Sequence, residues 1–277
     1  MTTKLDLGKA WNDAVALLQA NMQVVLIVAG VFFFLPNAIA AIALPQPTEL
    51  EAMMANGAQP DLEAVSEIMR GYYASNWYWF VLLGLVQGVG VLGLLALLTD
   101  RARPTVGEAL AFGAKGLIPY FVAQILVAVI IVAVLTLLIA LGAVINVGIA
   151  VLLGLVGLVL AIYIAVKFSL ISPVIGIEKM LNPVKALRRS WLLTKGNSLR
   201  LFGFYALLIL VLVVLTLLAS MVFSIFAIMG DAVGTFAAAV GGALMSMATS
   251  VVMLGVLAAV HAQLAGRTAT DVSETFD

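Results

Sequence analysis

Four cations and one histidine are the side chains whose type and spacing could do chemistry in this sequence. In LNPVKALRRSWLLTKGNSLR, residues 181–200, the cations are Lys185, Arg188, Arg189 and Lys195. They fall within an arc of roughly 120° when a helix turns about 100° per residue. Leu192 intrudes on that arc, and Val184, Leu187, Trp191 and Leu193 take the wide opposite side. A basic face beside an apolar one suits lipid headgroups or an acidic partner. His261 is the one histidine. A titratable group in an apolar run raises the idea of a proton relay, but its place near the end of that run reads better as an interfacial residue. Lys167, also near the end of a run, is expected to snorkel to the membrane surface. Asn37, Gln87 and Gln124 lie within apolar runs. They either line a polar path or join helices through hydrogen bonds of about 0.6 kcal/mol each.

Other chemistry is thinly supplied. The chain has no cysteine, which removes disulfides, thiolate metal sites and cysteine nucleophiles. No carboxylate lies inside an apolar run, which argues against proton- or sodium-coupled transport. GVGVLG at 88–93 lacks the strand–helix context of a phosphate-binding loop. No catalytic residue, metal ligand or cofactor site is expected. The formal net charge of +0 gives no reason to expect a nucleic-acid partner.

The elements that must position these residues are apolar helices. Of 277 residues, 64% are hydrophobic and 10% charged, where a soluble domain carries about 25% charged. So much apolar surface needs lipid as solvent. Six spans are predicted, at about 22–44, 77–98, 117–141, 147–170, 201–229 and 235–264. The first follows some twenty polar-mixed residues and reads as a retained anchor rather than a cleaved signal. Pro36 should free the carbonyl of Phe32 and kink that span. Trp77, Tyr78 and Trp79 form an interfacial anchor, and Gly84 and Gly88 suit close helix packing. Residues 45–76 form the long extracytoplasmic loop, with a short helix from Asp61, and 267–277 a flexible tail. Only a short turn around Asn146 joins spans three and four.

Charge orients the spans. With both termini, 99–116 and 171–200 on one side, that side receives every basic residue of the 14 except Arg70. The positive-inside rule then puts both termini in the cytoplasm. The sequence also resembles itself. DLGKAW at 6–11, TVGEAL at 105–110 and NPVKAL at 182–187 each open on a helix-capping residue and carry alanine four residues on. Each precedes two spans, and Asn21 and Asn197 follow the first and third caps by fifteen residues. The expected fold is an all-α integral membrane protein, a single membrane domain over 1–277. Its six transmembrane helices form three hairpins, each preceded by a cytoplasmic amphipathic helix, with repeats at 1–98, 99–170 and 171–266.

The stretch ISPVIGIEKMLNPVKALRRSWLLTKGN carries a family resemblance through Pro173, Glu178 and the run Ala186, Ser190, Trp191, Leu193, Thr194, Lys195, Gly196, Asn197. It resembles the bacterial six-span glycerophosphoryl diester phosphodiesterase membrane-domain family, and is similar to related uncharacterised inner-membrane proteins. The resemblance implies a multi-pass protein of the bacterial inner membrane. In full-length family members the chemistry belongs to a separate soluble barrel with acidic and histidine metal ligands, a pattern this chain departs from. The expectation is therefore a non-enzymatic scaffold or regulator. Its partners are membrane lipids, anionic ones above all, met by Lys185, Arg188, Arg189, Lys195 and Trp191; no protein partner is specified. The alternative is a carrier or channel for a lipid or small apolar molecule, with Asn37, Gln87 and Gln124 as its intramembrane contacts.

Overall fold

The computed structural model describes residues 4–45, 47, 50, 53, 62–99 and 104–266. The helices are α1 (Leu7–Ala20), α2 (Met22–Ala29), α3 (Leu35–Ala43), α4 (Leu62–Thr99), α5 (Val106–Ala143), α6 (Val147–Phe168), α7 (Ile171–Gly176), α8 (Pro183–Leu193), α9 (Ser198–Ser224) and α10 (Asp231–Leu264). No strand occurs among the described residues. Six helical stretches are long and apolar enough to cross a membrane, with mean hydropathy from 2.1 to 3.2. Between 6% and 44% of their apolar windows is buried inside the protein. The remaining apolar surface would be costly in water, which makes this a multi-pass membrane protein.

Pro36 is accommodated by widening the helix. A π-helical turn, Gly30–Phe34, joins α2 to α3, and the Leu35 amide donates to the Gly30 carbonyl. The five-residue step absorbs the donor that proline lacks and relieves its ring. The Asn37 side chain donates through Nδ2 to the Phe33 carbonyl at 2.6 Å.

Two segments differ from expectation. The part of the predicted loop from residue 62 onward, including the short helix, is continuous with the second span as α4. Residues 105–116 likewise run unbroken into the third span as α5. α5 starts at the capping box of Thr105 and Glu108 and packs closely on α4. A Cβ on Gly113 would stand 2.6 Å from the Val89 carbonyl oxygen, and one on Gly116 would stand 2.9 Å from Leu92. From the other side, Gly84 and Gly88 face Phe121 and Leu117, so that glycine pair is in the α4–α5 contact. Most of residues 45–61, Arg101, Arg103 and the tail 267–277 lie outside the described residues.

The three capping residues found in the sequence all cap. Asp6 accepts from the Lys9 amide at 3.0 Å, Thr105 from Glu108 at 3.3 Å and Asn182 from Lys185 at 2.9 Å. The alanines four residues on, Ala10, Ala109 and Ala186, are all buried. α1 turns Ala10 and Ala14 inward and seats Leu18 on Gly255 of α10, leaving Leu7 and Trp11 exposed. Around the bundle, α4 packs on α5, α5 on α6, and α10 on α1, α3 and α9. The short α7 is buried along its whole length against α4 and α5.

Candidate functional site

The site is built where α8 meets the end of the bundle. Asn182 caps α8, and Pro183 occupies its first turn, where a missing N–H costs nothing. Ala186, Ser190 and Leu193 are the buried residues of the helix. Beside Leu193, a small and a hydroxyl-bearing side chain thus face the bundle. The reason lies in α6. Its last carbonyls have no intrahelical donor. Ser190 Oγ donates to the Lys167 carbonyl at 2.9 Å, and Thr194 Oγ1 approaches the same oxygen at 3.3 Å. Ser190 therefore fastens α8 to the end of a membrane-spanning helix, with the Thr194 hydroxyl shared between that carbonyl and the Ser190 carbonyl at 3.0 Å.

A second fastening is ionic. Glu178 lies in the link between α7 and α8. Its Oε1 accepts from Arg189 Nε and Nη2 at 3.1 and 2.9 Å, and its Oε2 from Nε at 2.9 Å. His261 of α10 places Nε2 3.0 Å from Oε1. The ionised carboxylate can only accept, so Nε2 carries the hydrogen of that bond. Burial pushes the Glu178 carboxyl up, but the hydrogen bonds and charges of His261 and Arg189 outweigh it and hold the carboxyl at about 2. The triad ties the α7–α8 link, α8 and α10 together. With both oxygens engaged, Glu178 serves as a structural anchor rather than as a proton acceptor. His261, in the last turn of α10, is buried within the protein at 1% exposure rather than open at its surface.

The N-terminal segment closes the same end. The Leu5 amide donates to Asn197 Oδ1 at 2.9 Å, and Arg200 Nη1 donates to the Leu5 carbonyl at 3.0 Å. Gln263 exchanges two hydrogen bonds with the Asp6 backbone, at 3.1 and 3.2 Å.

The structure divides the basic arc. Arg189 turns inward to Glu178, while Lys185, Arg188 and Lys195 are exposed. Trp191 is half-exposed and packs on Phe168 and Tyr163, with ring centroids 5.6 and 6.0 Å away. Lys167 does not snorkel freely. It is 3% exposed, and its ammonium lies 5.0 Å from the Trp191 ring centre and 5.5 Å from that of Tyr163. The intramembrane amides remain apart. Gln124 is exposed and donates to the Tyr120 hydroxyl at 3.2 Å, Gln87 is half-buried, and no hydrogen bond joins either to Asn37.

A cavity of about 140 Å³ lies between α9 and α10, lined by Thr216, Ser220, Ser224, Gly241 and Met245 among others. Its three hydroxyls donate to carbonyls of their own helix, at 2.8 Å each. The cavity is therefore apolar in character and includes none of Asn37, Gln87 or Gln124. Pockets that hold a drug-sized ligand run from about 300 Å³ upward. Among the described residues, no group of three or more His, Cys, Asp or Glu side chains is placed to hold a metal ion.

Comparison with protein-family models, with curated proteins and with solved structures finds no match. A functional reading therefore stands on this chain's own residues.

Proposed function

We propose that this chain is a non-enzymatic scaffold or regulator of the bacterial inner membrane, engaging anionic lipid or an acidic partner through its basic α8. The carrying observation is the two-sidedness of α8. Its inner side is fastened by Ser190 to Lys167 and by Arg189 to Glu178, while Lys185, Arg188 and Lys195 stand outside. A helix held this firmly presents its cations at little entropic cost. Both termini and α8 face the cytoplasm in this reading, on the strength of the basic-residue asymmetry. The matching caps and buried alanines before spans one, three and five support three related units. The resemblance to the six-span membrane-domain family agrees with such a protein, and the carrier alternative gains nothing from the small apolar cavity between α9 and α10.

The test replaces Lys185 and Arg188 with glutamine and leaves Arg189 in place, since Arg189 serves the fold. Each charge near an anionic surface is worth about 1 kcal/mol, and salt screens it. Loss of both should reduce preference for phosphatidylglycerol over phosphatidylcholine by up to ~30-fold at low salt. Preference is read with spin-labelled lipids around protein in nanodiscs, against salt concentration. An unchanged preference with an unchanged salt slope refutes the reading.

A further inference from the structure

We propose that Lys167, Lys195 and Trp191 form a binding site for the phosphate group of one anionic phospholipid, seated where α6 ends beneath α8. The inference rests on the reading of α8 above as a lipid-engaging element, and narrows it from a diffuse basic surface to one site.

The anomaly is Lys167. The residue is 3% exposed, so its ammonium is largely shielded from water yet still open at the protein surface, a placement that favours an anion beside it. Among the described residues no carboxylate pairs with Lys167; the ion pairs are Lys9 with Asp13, and Arg189 and His261 with Glu178. The near carboxylate in sequence, Glu178, is held by two other partners. Lys167 instead meets the faces of Trp191 and Tyr163. Lys195 follows Thr194, whose hydroxyl lies 3.3 Å from the Lys167 carbonyl oxygen, so a second, exposed lysine stands at the same end of α6. Two lysines at one helix end, neither of them ion-paired among the described residues, form a positive site that an anion completes.

The site is also built in advance. Ser190 bonds the Lys167 carbonyl and fixes the end of α6, and the Trp191 and Tyr163 rings hold the ammonium, which lowers the ordering cost of binding. Trp191 and Tyr163 are 39% and 43% exposed, as suits rings at headgroup depth. The surface below argues for a lipid rather than a soluble anion. Tyr163, Leu160 and Val156 precede Lys167 by four, seven and eleven residues, which puts all of them on its face of α6. Leu160 and Val156 are 41% and 50% exposed, an open apolar strip along which an acyl chain can lie. The lysines would hold the phosphate as point charges.

The experiment uses the full-length protein in nanodiscs of phosphatidylcholine with graded phosphatidylglycerol, and counts retained phosphatidylglycerol by native mass spectrometry. Lys167→Met keeps the aliphatic stem and removes the charge. Lys195→Gln alters an exposed residue and is the second variant should Lys167→Met fail to fold. Arg70→Gln, exposed on α4, is the control. Each lysine variant should weaken retention of one phosphatidylglycerol by about tenfold or more, the scale of a charge-assisted hydrogen bond, while the control stays at wild type. Folded lysine variants that retain the lipid as wild type does overturn the site. A second arm titrates glycerol 3-phosphate into protein in pure phosphatidylcholine discs. Binding there as tight as that of phosphatidylglycerol, and lost in Lys195→Gln, overturns the lipid assignment in favour of a soluble phosphate. The broader reading fails separately, when Lys185 and Arg188 prove silent while the single lipid is still lost with Lys167.

Discussion

Replacing Glu178 with glutamine tests the triad most directly. The substitution keeps the shape of the side chain and removes the charge. It also turns one acceptor into an NH₂ group facing the Arg189 guanidinium, which can only donate. Breaking a fully buried ion pair costs about 3–5 kcal/mol, and a hydrogen bond to a charged group contributes about 1.5–3 kcal/mol. Here the Glu178 side chain is 12% exposed but that of Arg189 is 37% exposed, so Arg189 can turn to solvent and the loss must be discounted. His261, at 1% exposure, cannot turn away. The expected cost is about 2 kcal/mol after that discount, or roughly 4–8 °C in Tm by the scaling of large domains. Unfolding is followed by far-UV circular dichroism in nanodiscs. The pH dependence has a definite sign. The folded-state pKa is about 2, below the ordinary 4.5. The stabilisation is therefore complete above about pH 4.5 and is lost as pH falls through 2. The gap between wild type and Glu178→Gln should close as pH falls from about 4.5 through 2. A coupling with Arg189→Gln below about 0.5 kcal/mol in a double-mutant cycle, or a gap that persists at pH 2, refutes the reasoning.

Two further outcomes are expected. Gly142→Ala should cost about 1–3 kcal/mol, because a Cβ there would stand 2.6 Å from the Ala150 nitrogen and 2.8 Å from the Ile149 carbonyl carbon, and backbone cannot yield. Gly203→Ala, with open space around the new methyl, should leave thermal stability unchanged or raise it by about 0.5–1 kcal/mol; equal losses for the two variants contradict the packing account. For topology, the cysteine-free chain permits single reporters. A cysteine at Ala58 should react with an impermeant maleimide applied to intact cells and one at Thr270 should not; the reverse labelling overturns the orientation.

The local features of the chain were legible in its residues, because hydropathy and capping act over a few positions. Asp6, Thr105 and Asn182 are caps by residue type, and each caps in the structure. The six apolar runs had to be membrane-length helices, since a backbone in lipid must satisfy its own hydrogen bonds. Glycine spacing located the contact of α4 with α5 at Gly84 and Gly88. Which face of each helix turns inward was not legible. Lipid and protein interior are both apolar, so bulk hydrophobicity does not distinguish them. α8 illustrates the consequence, burying Ala186 and Ser190 while leaving Val184 exposed. The close approach of Val89 to Gly113 comes from another helix and had no local signal. The pairing of Glu178 with His261 spans 83 residues, and the aromatic cover over Lys167 needs α6 and α8 side by side. A lone histidine and a lone glutamate in a basic segment were the only signals, and a charge in low dielectric selects its partner by distance in space. Tertiary structure alone set that distance.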